Sequence, residues 1–144
     1  VVEIVSKLNK AGRQALEEFL DKSIRMILNH VHLLIIDLQP RTTRDPEGLH
    51  GRFWDELTGR EYHALEGKPL TLAAYEAVDP VRAFVEPLGV GDPLPDMPLF
   101  LAPGRHVPVP LERTYDAAFA DVPQRWRTVL ENEAGVREAG RFGE

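Results

Sequence analysis

Apolar residues recur along this 144-residue chain with two different periods. Residues 1–6 (VVEIVS) are rich in β-branched side chains, and residues 31–38 (VHLLIIDL) have the unbroken apolar centre of a strand buried on both faces. Between them, from about Gly12 to Asn29, apolar residues return every three or four positions, which predicts an amphipathic helix. Two strands joined by a helix with short connections predict a βαβ unit with parallel strands.

The middle of the chain shows a different pattern. Residues 69–78 and 81–90 are β-rich runs that meet at Asp79-Pro80, so we expect a hairpin there. Residues 91–110 contain half of the twelve prolines. Because proline lacks the amide donor that a central strand or a helix needs, this segment is predicted to be an extended strap on the surface.

The C-terminal part returns to a helical pattern. An amphipathic helix is predicted over residues 111–122, ended by Pro123, and a further helix and a loose polar tail are expected after it. Together these elements predict one α/β domain over residues 1–122, with a peripheral helix and tail over residues 123–144. Its core is a small mixed sheet with a parallel βαβ unit, a hairpin and the proline-rich strap.

Composition excludes several classes of protein. The chain has no cysteine, which excludes disulfides, thiol nucleophiles and cysteine-bound metals. No apolar stretch approaches the roughly 20 residues that a membrane helix needs, so we expect a cytoplasmic protein without a membrane partner. The phosphate-binding glycine loops, the G-x-S-x-G elbow and the H-E-x-x-H zinc motif are all missing from the sequence.

Charge is distributed unevenly along the chain. The net charge is −6, which argues against a strong hold on nucleic acid. Residues 1–60, however, carry nine basic and nine acidic side chains, so the excess of negative charge falls entirely in residues 61–144. A polyanionic partner would therefore meet the N-terminal half.

Glu3 is the carboxylate that most needs an explanation, because an acidic side chain within a packed strand is costly unless it is paired or bound to a metal. The predicted helix could bring Lys22 or Gln14 towards it, and the parallel strand ends in Asp37. Two carboxylates on adjacent strands with a lysine would suit a Mg²⁺ site that activates water against a phosphodiester. Alternatively, Glu3 lies on an exposed face of the sheet and Lys22 on a solvated helix face.

Two short motifs carry further alternatives. His30 and His32 form an H-x-H pair that could bind a metal, although a histidine at a helix end more often caps backbone carbonyls. Trp54 and Trp126 could stack on bases, although packing is the commoner role of isolated tryptophans.

The stretch "VEIVSKLNKAGR…FLDKS…NHVHLLIIDL" resembles the bacterial domain-of-unknown-function family 4058, whose members have the pattern "EVLSPxNK…G…YLxKR…GVHLVEIDLLR". A later block, "GVGDPLPDMPLFLAPGRHVPVPLERTYDAAF" over residues 89–119, resembles that family's second signature. This chain departs from the pattern at Lys7, where relatives have proline, and beyond residue 120. The matching positions in the first block are Glu3, Ser6, Asn9, Lys10, Gly12, Lys22, His32 and Asp37.

More distantly, "VVEIVS…HLLIIDL" is similar to the core of the Uma-type endonucleases of the PD-(D/E)xK fold, a restriction-endonuclease-like architecture. The resemblance implies that Glu3 binds a catalytic metal, Mg²⁺ or Mn²⁺. The lysine expected two residues later is Val5 here, so its role would pass to Lys22 or Lys10. The fold's aspartate lies on an upstream strand that this chain does not contain, so we expect the chain to be the C-terminal part of a longer protein.

These observations define two functional hypotheses. The first is a bacterial protein of nuclease-like fold whose full-length form hydrolyses phosphodiesters, with Glu3, Lys22 and Asp37 as site residues. The second is a non-catalytic binding or assembly module that uses the strap or an exposed sheet edge. Because the first strand would lack the upstream neighbours of that fold, we expect either a homodimer through the exposed edge or another element that covers it.

Overall fold

The chain folds around a four-stranded sheet with the strand order β1-β2-β3-β4. The computed structural model describes residues 1–139, with side chains described as far as residue 132. The β1 strand runs parallel to β2, and the β2–β3 and β3–β4 pairs are antiparallel. The strands of this sheet are β1 (Val2–Ile4), β2 (Leu33–Asp37), β3 (Leu70–Glu76) and β4 (Arg82–Leu88).

The predicted βαβ unit is confirmed. A short 3₁₀ helix, Lys7–Lys10, follows β1, and helix α1 (Arg13–Leu28) leads back to β2. The helix ends where His30 adopts a left-handed conformation with φ of 59°, and the amide of Val31 closes the turn on the carbonyl of Met26 at 2.9 Å. Every residue of β2 is buried, as the unbroken apolar run predicts.

Helices α1 and α2 (Gly48–Thr58) cover one face of the sheet. The alternation of side chains along the strands places every second residue of β2 and β3 on this face. The resulting core joins the sheet to both helices, and it includes Leu20 and Phe19 of α1, Phe53 of α2, Ile35 of β2 and Tyr75 of β3. The sequence FWDEL over residues 53–57 is compatible with either one helical turn or a short aromatic plug, and the structure forms a helix of 11 residues there.

The predicted surface strap over residues 91–110 is instead a second β-hairpin, formed by β5 (Asp96–Ala102) and β6 (Arg105–Pro110). Each strand of a two-stranded sheet has a free side, so a proline can lie there without removing a ladder hydrogen bond. Strand β5 packs against β2 and β3, which accounts for the burial of Leu34 and Leu72 on the face opposite the helices.

The C-terminal helices are α3 (Leu111–Ala120) and α4 (Gln124–Ala139), as expected from the sequence. The chain divides into two compact units, one of residues 1–109 and one that begins at Pro110. Helix α4 continues into the segment predicted to be a loose tail, and the remainder of that tail lies outside the described residues. Within residues 1–139, no helix is both long and apolar enough to cross a membrane.

Glu76, at the end of β3, joins the sheet to the hairpin. Its carboxylate accepts the amide of Gly104 at the hairpin turn, at 2.5 Å, and lies 2.6 Å from the guanidinium of Arg82 across the β3–β4 pair. The side chain of Glu76 is fully buried, whereas that of Arg82 is largely exposed. A buried carboxylate is tolerated here because both of its oxygens have partners.

Replacement of Glu76 by alanine should therefore lower the free energy of unfolding by about 3 kcal/mol, since it leaves a buried amide unpaired and a small cavity. Urea unfolding measures this loss, and hydrogen exchange at the Gly104 amide should accelerate. Glu86→Ala, which removes an exposed carboxylate from β4, is the matched control and should change the free energy of unfolding by at most about 0.5 kcal/mol. Equal stability of the two variants would contradict this role.

Candidate functional site

Glu3 and Lys22 meet on the helix-covered side of the sheet. Glu3 lies opposite Ile35 in the parallel register, and Nζ of Lys22 reaches its Oε2 at 2.9 Å. The two side chains keep 21% and 45% of their surface exposed, so solvent reaches both. The ammonium of Lys22 also lies over the ring of Phe19, 5.4 Å from its centroid, and forms a cation–π interaction with it.

Asp37 does not join this pair. Its carboxylate lies 2.7 Å from Nζ of Lys10, and the same ammonium lies 3.0 Å from a carboxylate oxygen of Asp45. All three side chains are at least 95% buried, so they form a sealed cluster between the 3₁₀ helix and the loop after β2. Burial raises the pKa of Asp37 above its ordinary value, against the lowering effect of Lys10.

The pairing of Lys10 with Asp37 and Asp45 was not predicted from the sequence, where Lys10 was named only as an alternative to Lys22 for the lysine of the nuclease-like pattern. The turn that directs Lys10 inward is closed by Asn9, whose side-chain oxygen accepts the Ser6 amide at 2.8 Å. The signal available in the sequence is the Asn9-Lys10 dipeptide immediately after a strand, with Asp45 in the loop that follows Asp37. Neither position indicates burial by itself, because lysine and aspartate are usually exposed.

A second buried polar pair lies between α2 and β3. The hydroxyl of Tyr75 lies 2.5 Å from Nδ1 of His50, and the ring of Tyr62 packs edge-on against the imidazole with centroids 4.5 Å apart. Burial lowers the pKa of His50 to about 4 and raises that of Tyr75 well above its ordinary value. A neutral imidazole that accepts a hydrogen bond from a protonated phenol fits both shifts.

Metal-binding groups do not converge in the part of the chain whose side chains are described. No three side chains of histidine, aspartate or glutamate there are arranged as a metal site. His32 uses its Nδ1 to accept the amide of Ala77 at 2.9 Å, so this ring stabilises the end of β3. Its neighbour His30 lies in the exposed helix-ending turn.

Comparison with family models, with curated proteins and with solved structures found no significant match to this chain. The candidate site therefore rests on its geometry. Glu3 and Lys22 form an ion pair that solvent reaches, whereas the carboxylates of Asp37 and Asp45 are buried against the ammonium of Lys10.

The depressed pKa of His50 predicts a loss of stability in mild acid. The unfolded chain takes up a proton near pH 6.5 and the folded chain only near pH 4, so stability is complete above pH 6.5 and falls as the pH drops through this window. Between pH 7 and pH 4.5 we expect His50 to account for about 2 kcal/mol of the loss, measured by urea unfolding. His50→Gln should show a pH dependence smaller by that amount.

The matched control for this experiment is His63→Gln, because the side chain of His63 is mostly exposed. This variant should keep the full pH dependence of the parent protein. Identical pH profiles for His50→Gln and the parent would show that His50 is not the group responsible.

Proposed function

We propose that this domain belongs to a protein that hydrolyses phosphodiester bonds with a divalent cation, Mg²⁺ or Mn²⁺, held in part by Glu3. The observation that supports it is the 2.9 Å contact between Glu3 on β1 and Lys22 on α1, in a position that solvent reaches. The nuclease-like fold that the sequence resemblance implies has its lysine two residues after the strand glutamate, where this chain has Val5. Lys22 of α1 would supply the ammonium in its place. The overall α/β order of β1, α1 and β2 is compatible with that fold.

The chemistry of the two side chains suits this role. A carboxylate oxygen is a ligand that Mg²⁺ and Mn²⁺ prefer, and Oε1 of Glu3 makes no hydrogen bond among the described residues. A cation there would supply an activated water and neutralise phosphate charge. The ammonium of Lys22 would orient Glu3 and stabilise negative charge on the phosphate oxygens.

One carboxylate does not complete a Mg²⁺ site, which needs six oxygen ligands, and the described residues supply no second carboxylate at this place. Asp37 has no part in the proposal, because its side chain is buried against Lys10. Further ligands would come from a strand added beside β1, which ends the strand order on that side of the described sheet. The N-terminal half, with no net charge, would repel a nucleic acid less than the acidic remainder.

The test uses the full-length protein with radiolabelled or fluorescent DNA and RNA in Mg²⁺ or Mn²⁺. Glu3→Gln should reduce the cleavage rate about 100-fold or more, because it removes a ligand charge that holds the cation. Lys22→Met should have a similar effect, because it removes the positive charge that acts on the reacting phosphate. Calorimetry should show weaker Mn²⁺ binding for Glu3→Gln.

Glu17→Gln is the matched control for this test, because Glu17 also forms a helix-borne ion pair, with Arg52 at 2.9 Å. It should leave cleavage and Mn²⁺ binding unchanged. Equal cleavage by Glu3→Gln and the parent protein would overturn the proposal.

A second candidate function is a non-catalytic assembly module that pairs with another copy through β1. The amide of Leu34 bonds the carbonyl of Val1, and the amide of Val5 bonds the carbonyl of Ile36, each at 2.9 Å. The alternation of a parallel ladder then directs the backbone groups of Val2 and Ile4 away from β2. Ile4 is 71% exposed. An exposed apolar residue on an uncovered edge strand favours pairing with another chain.

If this edge joins two copies, Ile4→Lys should convert a dimer to a monomer, because a charged side chain on an edge strand opposes pairing. Multi-angle light scattering of the purified protein measures the mass at several concentrations. Leu8→Lys is the control, since Leu8 is equally exposed but lies in the 3₁₀ helix beyond the strand. A parent protein that is monomeric at high micromolar concentration would exclude this function.

A further inference from the structure

A cavity of about 520 Å³ lies where α1, α2 and the loop that leads from β2 into α2 meet. Each of these elements contributes one arginine to its wall, namely Arg13 of α1, Arg44 of the loop and Arg52 of α2. The other lining residues are Leu16, Glu17 and Thr43. Because guanidinium groups repel one another, three of them around one cavity indicate a site for an anion.

Arg52 is held in its orientation by the protein itself. One of its Nη atoms donates to the carboxylate of Glu17 at 2.9 Å, and the other donates to the backbone carbonyl of Arg44 at 3.2 Å. A guanidinium has five N–H donors, so these two contacts fix the group and leave donors for a ligand. Donors that are already oriented lower the entropic cost of binding.

The other two arginines lack a counter-charge. The side chains of Arg13 and Arg44 form no ion pair or hydrogen bond within the described part of the chain, and both residues are exposed. Glu17, the one carboxylate among the described lining residues, is already paired with Arg52. The cavity therefore has an excess of two positive charges, although the net charge of the whole chain is −6.

This charge excess matches a phosphate monoester. A monoester phosphate carries close to two negative charges at neutral pH, whereas each phosphate of a nucleic acid backbone carries one. Arginine suits phosphate because its planar fork donates two parallel hydrogen bonds. Pockets for small molecules have volumes of about 300–1,000 Å³, so this cavity also has room for the organic group attached to the phosphate.

We propose that the cavity between Arg13, Arg44 and Arg52 binds the phosphate group of a small phosphate monoester. Arg52 supplies the fixed donors, and the other two arginines supply the charge that balances the dianion. A bound phosphate also relieves the repulsion among the three guanidinium groups. The proposal is independent of the proposed function, because Glu3 and Lys22 do not line this cavity.

The test is an NMR titration of the purified protein with methyl phosphate, a monoester, and with dimethyl phosphate, a diester. Salt at about 0.1 M screens charges more than about 10 Å apart, so the titration reports on local binding. Methyl phosphate should shift the amide signals of Thr43 and Arg44 with a Kd of about 1 mM or lower, within the limit for so few atoms. Dimethyl phosphate should bind at least about tenfold more weakly, because it carries one negative charge.

Variants of single arginines make the test specific. Arg13→Gln and Arg44→Gln should each weaken methyl phosphate binding about tenfold, because each loses a charge-assisted hydrogen bond. Arg44→Lys should weaken it about threefold, since lysine retains the charge but lacks the planar fork. Arg25→Gln is the matched control, because Arg25 is also exposed but lies in the last turn of α1. It should bind methyl phosphate as the parent does.

Three results would each overturn the proposal. The first is the absence of amide shifts at Thr43 and Arg44 in methyl phosphate up to about 10 mM, which is tenfold above the expected Kd. The second is an equal loss of affinity in Arg25→Gln and Arg44→Gln, which would indicate general attraction to a basic surface. The third is binding of dimethyl phosphate as tight as that of methyl phosphate, which would assign the cavity to a phosphodiester backbone instead.

Discussion

The burial of β2 on both faces is the constraint on which the rest of this fold depends. Its five residues are enclosed by helices on one side and by the β5 strand on the other, so the chain must leave the sheet within a buried environment at Asp37. The backbone groups and the carboxylate at such a position need hydrogen-bond or ionic partners within the protein, because water does not reach them. Lys10 supplies the partner for the carboxylate, and the carbonyls of the following loop close around the same ammonium.

The two acidic side chains on the helix-covered side thereby acquire different properties. Glu3 and Asp37 lie on adjacent parallel strands only two register positions apart, since Glu3 is opposite Ile35. Lys22 reaches Glu3 from a helix surface, where both groups remain in contact with water and can exchange partners at small cost. Lys10 reaches Asp37 from within a closed turn, where separation of the charges would leave a buried carboxylate unpaired. Of these two described pairs, Glu3–Lys22 is the one that solvent reaches.

Periodicity predicted the elements whose formation is governed by local pattern, namely α1, the parallel β1–β2 pair and the β3–β4 hairpin. It also offered Lys22 and Gln14 as residues that the helix could bring towards Glu3, and Lys22 is the one that the structure places there. The β5–β6 hairpin was missed because a proline count does not reveal which side of a strand each proline faces. The Lys10 cluster was missed for a different reason: its burial depends on the loop of residues 37–45 folding over it, and no residue within that loop has a strong local preference for doing so.

The same loop explains why the fold can keep an exposed ion pair and a free strand edge next to a stable core. Thr42, Asp45 and Gly48 hold one another by short-range hydrogen bonds, so the segment that leads into α2 is ordered by its own contacts. The ammonium of Lys10 then ties this segment to the turn that follows β1. The β1 strand is held by its hydrogen-bonded ladder with β2 and by the turn that carries Lys10. The Glu3–Lys22 ion pair is partly exposed, so it contributes little to stability. The stability of the domain therefore does not depend on the Glu3–Lys22 pair.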